Sequence, residues 1–194
     1  MGKLGILLVM ILAATPSAAK EDFIASPWRV DLAAAFAKGH GVVLMSAGAA
    51  TPCKGGLMTY LSLNTKRAGK EGRRSARGIP QMPINAGIFE SNFPDHHGFV
   101  FAFGLSPGEY QFEHYIINLV ASLSGDPIAT FKVEPGKVVY IGELFMTRSC
   151  DIRGVAYDVR GSLQRDLAIA LAQNPGFEGV EVSTQLMTLE PFRR

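Results

Sequence analysis

The sequence predicts a mainly β fold, an antiparallel β-sandwich with a short helix near each end. Three observations lead to this prediction. Several short segments alternate apolar and polar residues, which is the period expected for half-buried strands. Glycine and proline turns separate these segments at short intervals, as they do in sandwiches. Hydrophobic residues make up 47% of the chain, an ordinary share for a globular protein.

The two predicted helices have recognisable starts. The first begins at Ser26-Pro27, a hydroxyl cap followed by proline, and continues with Trp28, Leu32 and Phe36 at helical spacing. The second covers residues 163–173. Its predicted cap is Ser162, Asp166 lies in its first turn, and Asn174-Pro175-Gly176 ends it.

Two Pro-Gly turns predict hairpins. Residues 99–103 and 110–117 alternate on either side of Ser106-Pro107-Gly108. Residues 129–133 and 137–144 do the same around Glu134-Pro135-Gly136. Two alternating segments joined by a short turn of this composition are typical of hairpins. The other predicted strands are residues 42–45, 57–63 and 154–160, with residues 180–183 as a final edge strand or an extended tail.

The first 19 residues have the features of a secretory signal peptide. Lys3 precedes an apolar run over residues 4–14, and Ser17 and Ala19 are the small residues that favour cleavage after Ala19. The run is shorter than the roughly 20 apolar residues that span a bilayer, which disfavours a membrane anchor. We therefore expect a periplasmic or secreted protein. Its single domain covers residues 20–194, with no transmembrane segment after cleavage.

The chain has two cysteines, Cys53 and Cys150. In an exported protein, an even number of cysteines favours a disulfide over free thiols. A metal site and a catalytic thiol are the competing interpretations. Both are weaker, because two thiols without a nearby Cys or His are a poor zinc set and an oxidising compartment disfavours a lone nucleophile.

Residues 66–78 hold six cations, one carboxylate and three glycines, without an apolar period. The rest of the predicted mature chain has 12 cations against 16 carboxylates, so positive charge is concentrated here. The segment is either a solvated loop or a contact for an anionic partner. A mature net charge of only +1 argues against nucleic-acid binding. The candidate contact residues are Arg67, Lys70, Arg73, Arg74 and Arg77.

Asp95, His96 and His97 are the candidate metal ligands, with Glu90 or His114 as a further donor. The alternative is a polar turn before the strand at residue 99. Adjacent histidines on an extended chain point to opposite faces, so both reach one ion only from a loop. For His114 we expect a half-buried, hydrogen-bonded side chain on the face that carries Tyr110. No nucleophile-elbow, zinc-protease or phosphate-loop motif is present, and we predict no cofactor.

Residues 105–110 (LSPGEY) resemble the L-x-P-G-x-Y turn of transthyretin-like and carboxypeptidase-regulatory-like β-sandwiches, where the tyrosine points inward. Residues 131–142 (FKVEPGKVVYIG) are similar to a run found in bacterial envelope domains of unknown function. The resemblance covers about 40 residues and implies a transthyretin-like or immunoglobulin-like sandwich in the cell envelope. It implies no catalytic residues. The chain departs from many such proteins by lacking the cysteine that carries a lipid anchor.

The sequence thus predicts an exported envelope protein that serves as a non-catalytic binding or accessory module. Its expected partner is a protein, a glycan or an anionic envelope surface. Two alternatives stay open. One is a metal-dependent or hydrolytic enzyme centred on Asp95, His96 and His97, and the other is a structural subunit of an envelope assembly.

Overall fold

A computed structural model describes residues 30–53, 58–65, 82–87, 89–117, 122–148 and 156–190. Within these ranges the chain forms two β-sheets packed face to face, with helices on the outer face of one sheet. The prediction of a mainly β, two-sheet fold with two short helices is confirmed. No helix in the described ranges is long and apolar enough to cross a bilayer.

In the part of the chain that the structure describes, each sheet has five strands. In sheet 1 the order is β4-β1-β7-β8, and the short strand β9 also pairs with β7. In sheet 2 the order is β10-β6-β5-β2-β3. Sheet 1 consists of β1 (Gly41–Ala49), β4 (His97–Leu105), β7 (Val138–Arg148), β8 (Ala156–Arg160) and β9 (Val182–Thr184). Sheet 2 consists of β2 (Met58–Thr65), β3 (Met82–Pro83), β5 (Gly108–Ile117), β6 (Ser122–Val133) and β10 (Thr188–Leu189).

Sheet 1 is mixed rather than purely antiparallel. Strand β7 runs parallel to β1 on one side and parallel to β9 on the other. The pairs β1–β4 and β7–β8 are antiparallel, as are all the pairs of sheet 2. Residues 180–183, predicted as a final edge strand or an extended tail, overlap β9. Strand β9 pairs with β7 in parallel and so contributes to the mixed character of sheet 1.

Both predicted Pro-Gly hairpins are wrong, although their strands exist. Strand β4 pairs with β1 in sheet 1, whereas β5 pairs with β2 and β6 in sheet 2. The chain therefore crosses between the sheets at the Ser106-Pro107 turn. It crosses back between β6 and β7, at the Glu134–Gly136 turn. The alternation of apolar and polar residues cannot distinguish a hairpin within one sheet from a crossing between two sheets, because the apolar face of a strand is buried equally well in either case.

The main core lies between the two sheets. The inner face of sheet 1 supplies apolar side chains such as Met45, Phe101 and Ile141, which pack against Leu61 and Phe112 of sheet 2. Tyr110 is also buried here, as predicted, and its hydroxyl donates a hydrogen bond to the Ser106 carbonyl at 2.8 Å. A second apolar cluster lies on the outer face of sheet 1, beneath the helices.

Helix α2 spans Leu163–Gln173, the predicted range, but its start is not capped as predicted. The Ser162 side chain makes no capping hydrogen bond. Helix α1 spans Leu32–Ala37, and the Asp31 carboxylate accepts from the Ala34 backbone N–H at 2.9 Å. The predicted start of this helix at Ser26 lies outside the described residues.

Candidate functional site

A bulge in β7 brings two polar side chains to the outer face of sheet 1. The register with β1 shifts between Leu44 and Ser46, and Gly142 at the shift has a φ of +93°. Because of this extra residue, Tyr140 and Glu143 both point outward although they are three positions apart. A Cβ at position 142 would lie 3.0 Å from the Arg160 carbonyl oxygen, so both conformation and space favour glycine.

The bulge belongs to a set of linked polar side chains that we call the outer-face cluster. It joins β1, β7, helix α2 and the turn that precedes β4. Its members are Ser46, Asp95, His96, Tyr140, Glu143, Arg165 and Asp166.

Asp166 lies at the inner end of the cluster and is 0% exposed. Its Oδ2 accepts hydrogen bonds from Ser46 Oγ at 2.6 Å and Tyr140 Oη at 2.7 Å. Its Oδ1 accepts from Arg165 Nε at 2.8 Å. The Tyr140 hydroxyl in turn accepts from the Ser162 backbone N–H at 3.0 Å. This hydrogen bond gives a partner to a backbone N–H at the start of α2, where the Ser162 side chain makes no capping hydrogen bond.

Glu143 links the helix to the turn before β4. Its Oε1 lies 2.7 Å from His96 Nε2, and its Oε2 accepts from Arg165 Nη2 at 3.1 Å. The other ring nitrogen of His96, Nδ1, lies 2.8 Å from Asp95 Oδ1. The Glu143 side chain is 1% exposed and that of His96 is 7% exposed, whereas that of Asp95 is 74% exposed. The cluster therefore runs from a closed interior to the surface at Asp95.

Both ring nitrogens of His96 face carboxylate oxygens. Carboxylate oxygens only accept hydrogen bonds, so both ring nitrogens must donate if Asp95 and Glu143 are ionised. The cluster holds three carboxylates, one imidazole and one guanidinium. The hydrogen bond from His96 also holds the pKa of Asp95 below its usual range.

Two further pKa values reflect the cluster. Burial, together with the hydrogen bond to Asp166, raises the pKa of the Tyr140 hydroxyl above its usual value. Partial burial alone would lower the pKa of Arg165, but its bonds to Asp166 and Glu143 raise it overall. Both groups therefore keep their protons at neutral pH and act as hydrogen-bond donors.

Aromatic rings enclose the outer end of the cluster. His96 stacks on Phe93 with 4.3 Å between ring centroids, and the edge-on ring of Phe145 is 5.5 Å away. The Arg165 guanidinium lies 4.2 Å from the Phe93 ring centre, and that of Arg160 lies 3.4 Å from the Phe145 ring centre. The two guanidinium groups thus lie over the two rings that flank His96, whose side chain is 7% exposed.

The three candidate metal ligands do not converge. His96 faces Glu143, whereas His97 begins β4 and its Nε2 lies 3.1 Å from the Ala86 carbonyl oxygen. Within the described residues, no group of three or more His, Cys, Asp or Glu side chains could hold a metal ion. Glu90 is exposed, and His114 lies in sheet 2 with its ring 5.9 Å from that of Tyr157.

Cys53 is buried and forms an isolated bridge with Ala86. Asn85 fixes its position, because the side-chain amide donates to Cys53 Sγ at 2.8 Å and the carbonyl accepts from the Thr59 backbone N–H at 2.8 Å. Cys150 lies outside the described residues, so its pairing with Cys53 stays a prediction. The five candidate partner-binding residues, Arg67, Lys70, Arg73, Arg74 and Arg77, also lie outside them, as does the predicted signal peptide.

Four members of the cluster are absent from the predictions made from the sequence: Ser46, Tyr140, Glu143 and Arg165. Asp166 was predicted only as a residue of the first turn of the second helix. Two signals were available. Glu143 is the only charged residue in the apolar run of residues 138–146, and such a run is typical of a strand buried on both faces. Asp166 shares a helix face with Leu163 and Ala170 at spacings of three and four. Each signal marks a carboxylate on an apolar face, but neither identifies its partner.

Comparisons of the chain with protein-family models, with curated proteins and with solved structures find no match. The resemblance to transthyretin-like sandwiches therefore stays a prediction, carried by residues 105–110 and 131–142.

Proposed function

We propose that this protein is an exported, non-catalytic binding or accessory module of the cell envelope. The observation that carries the non-catalytic part of the proposal is the closure of the inner end of the outer-face cluster, at Glu143 and Asp166. Every carboxylate oxygen of Glu143 and Asp166 contacts another side chain of the cluster, and both residues are at most 1% exposed. Carboxylates held in this way present no free oxygen to a substrate, which supports a structural rather than a catalytic role for these two residues.

The proposed location rests on the secretory features of residues 1–19. A disulfide between Cys53 and Cys150 fits the same compartment, where such bonds persist. In the chain-entropy model, a bridge across a loop of about 100 residues stabilises by up to about 4 to 5 kcal/mol. Cys53 is buried, which supports a structural role for its sulfur.

The proposed contact for the partner is the basic segment of residues 66–78. Its six cations stand against a single carboxylate, whereas the rest of the predicted mature chain is acidic. Such a concentration of charge attracts anionic surfaces over about a Debye length, roughly 10 Å at 0.1 M salt. We therefore expect the partner to present phosphate or carboxylate groups.

The test compares two triple variants with the same change in net charge. One carries Arg73→Glu, Arg74→Glu and Arg77→Glu, and the control carries Lys38→Glu, Lys132→Glu and Lys137→Glu at exposed positions elsewhere. The first readout is sedimentation with vesicles of phosphatidylglycerol and phosphatidylcholine in 50 mM and 500 mM salt. The second is capture of envelope components from periplasmic extract by the mature protein.

We expect the unaltered protein to bind in at least one readout at low salt and to lose binding at high salt. The first variant should lose that binding, and the control should keep most of it. Equal loss in the two variants, or binding that is indifferent to salt, would contradict the proposed contact. Stoichiometric zinc, copper or nickel in the purified protein would instead favour the enzyme alternative.

A further inference from the structure

Two separate segments on the outer face of sheet 1 share one buried carboxylate. Glu143, on β7, contacts His96 through Oε1 and Arg165 through Oε2. His96 belongs to residues 91–96, which precede β4, and Arg165 belongs to α2. Disturbing either contact of Glu143 leaves its carboxylate buried with only one partner, a costly arrangement.

A second contact joins the same two segments directly. The buried ring of Phe93 stacks on His96 within its own segment and also lies beneath the Arg165 guanidinium of α2. If α2 moves outward, Phe93 loses this cation and is uncovered. If residues 91–96 move outward, Arg165 loses its contact with the Phe93 ring. Its partner Glu143 loses the contact with His96 at the same time.

Apolar burial holds α2 only moderately. Of its 11 residues, Asp166 and Ala170 alone are buried, and one of these two is a charged side chain. The apolar residues Leu163, Leu167, Ile169 and Leu171 are only partly buried. Buried ion pairs add little net stability, because desolvation offsets their attraction. The helix should therefore detach more easily than the two sheets separate.

Residues 91–96 are attached to β4 by side-chain hydrogen bonds to its backbone. Ser91 Oγ bonds the backbone N–H of Gly98 and lies 3.2 Å from its carbonyl oxygen, and Asn92 Oδ1 accepts from the Val100 N–H at 2.8 Å. These bonds hold the segment along the edge of β4. Phe93 and His96 hold it over the sheet, next to α2.

We propose that α2 and residues 91–96 form one cooperative opening unit, which leaves the outer face of sheet 1 as a whole while the core between the sheets stays closed. Its opening uncovers apolar side chains of the sheet, such as Leu44 and Val100. The inference is independent of the proposed function, because it rests only on the shared contacts of Glu143 and Phe93. Cooperative local opening of this kind is a general property of folded chains.

Native-state hydrogen exchange of the full mature chain tests the proposal. In the unaltered protein, amides of α2 and the amides of Gly98 and Val100 should exchange through one opening with similar protection. Amides of the β5–β6 pair should exchange far more slowly and serve as the internal reference. Glu143→Gln should speed exchange in both outer segments about tenfold or more, since it weakens charged hydrogen bonds to each.

Two milder variants each alter one segment and test whether exchange in the other segment changes. They also keep the test valid if Glu143→Gln does not fold. Asp95→Asn alters a surface residue that contacts His96 and should speed exchange in α2 severalfold. Arg165→Lys alters α2 and should speed exchange at Gly98 and Val100. Asp158→Asn, at an exposed position of β8, is the control and should change neither segment.

Acceleration confined to the altered segment would overturn the proposal, because the two segments would then open separately. Equal acceleration of the β5–β6 reference would overturn it as well, because the opening would be global unfolding. Matched acceleration of both outer segments over an unchanged reference supports it.

Discussion

The two faces of sheet 1 are stabilised in different ways, although β1, β4 and β7 supply both. The inner face is apolar along its length and packs against sheet 2 through side chains such as Met45 and Phe101. The outer face is apolar beside Leu44 and Val100, and becomes charged beneath the start of α2. The inner face thus depends on close packing, whereas part of the outer face depends on matched hydrogen bonds and charges.

The β7 bulge at Gly142 produces this difference within a single strand. Before it, Tyr140 points outward and Ile141 inward; after it, Glu143 points outward and Leu144 inward. Without the bulge, the alternation would place Glu143 on the inner face. A carboxylate there would have to be desolvated among apolar side chains at a large cost. The irregularity therefore keeps the Glu143 carboxylate out of the inner core.

The largest expected effect is on the inner face. Phe101→Ala removes a ring that is almost fully buried and leaves a cavity, so we expect a loss of about 3–5 kcal/mol in the free energy of unfolding. Phe101→Leu, the control, fills most of the space and should cost clearly less. Urea denaturation followed by far-UV circular dichroism measures both. Similar losses for the two variants would argue against dependence on packing volume.

An intermediate loss of stability is expected when the hydroxyl of Tyr140 is removed, and Tyr157 serves as the comparison. Tyr140→Phe leaves the Ser162 N–H and Asp166 each without one partner, so we expect a loss of about 1–2 kcal/mol. The hydroxyl of Tyr157 is also buried, but it has no hydrogen-bond partner in the described part of the chain. Tyr157→Phe should therefore be neutral or slightly stabilising. The same urea titrations measure both substitutions.

Equal losses for the two substitutions would contradict this reasoning. They would mean that removing either hydroxyl has the same cost whether or not it is hydrogen-bonded. The outer-face cluster would then contribute nothing beyond the packing of its rings.

The sequence predicted the elements better than their pairing. The range of α2 and the strands around residues 99–103, 110–117 and 137–144 follow from local periodicity and local stop signals. Hairpin pairing did not follow. A Pro-Gly turn permits either a return within one sheet or a crossing to the other, and only the neighbours β1 and β2 determine which occurs.

The candidate site was less predictable for the same reason. Asp95 and His96 were predicted either as candidate metal ligands or as part of a polar turn, whereas the structure pairs His96 with Glu143, which in turn binds Arg165. Ser46 and Asp166 are 120 positions apart and meet only because α2 returns over β1. A single sequence contains each member of such a cluster but not the long-range contacts that unite them.

The smallest expected effect is at the exposed end of the cluster and depends on pH. The hydrogen bond from His96 lowers the pKa of Asp95, so the folded state binds this proton at a lower pH than the unfolded state does. The resulting stabilisation is fully present above the ordinary aspartate pKa of about 3.9, and is lost as the pH falls through the lowered value. Asp95→Asn removes this contribution while keeping the shape of the side chain.

We therefore expect the unaltered protein to be slightly more stable than Asp95→Asn between about pH 5 and 7, with the difference shrinking towards zero below about pH 4. Urea titrations across this range measure the difference. Asp158→Asn, the control at an exposed site on β8, reports the general effect of losing one negative charge. A difference that grows as the pH falls would contradict the expectation from the lowered pKa of Asp95 in the folded state. It would show that the His96 contact favours the protonated rather than the ionised form of Asp95.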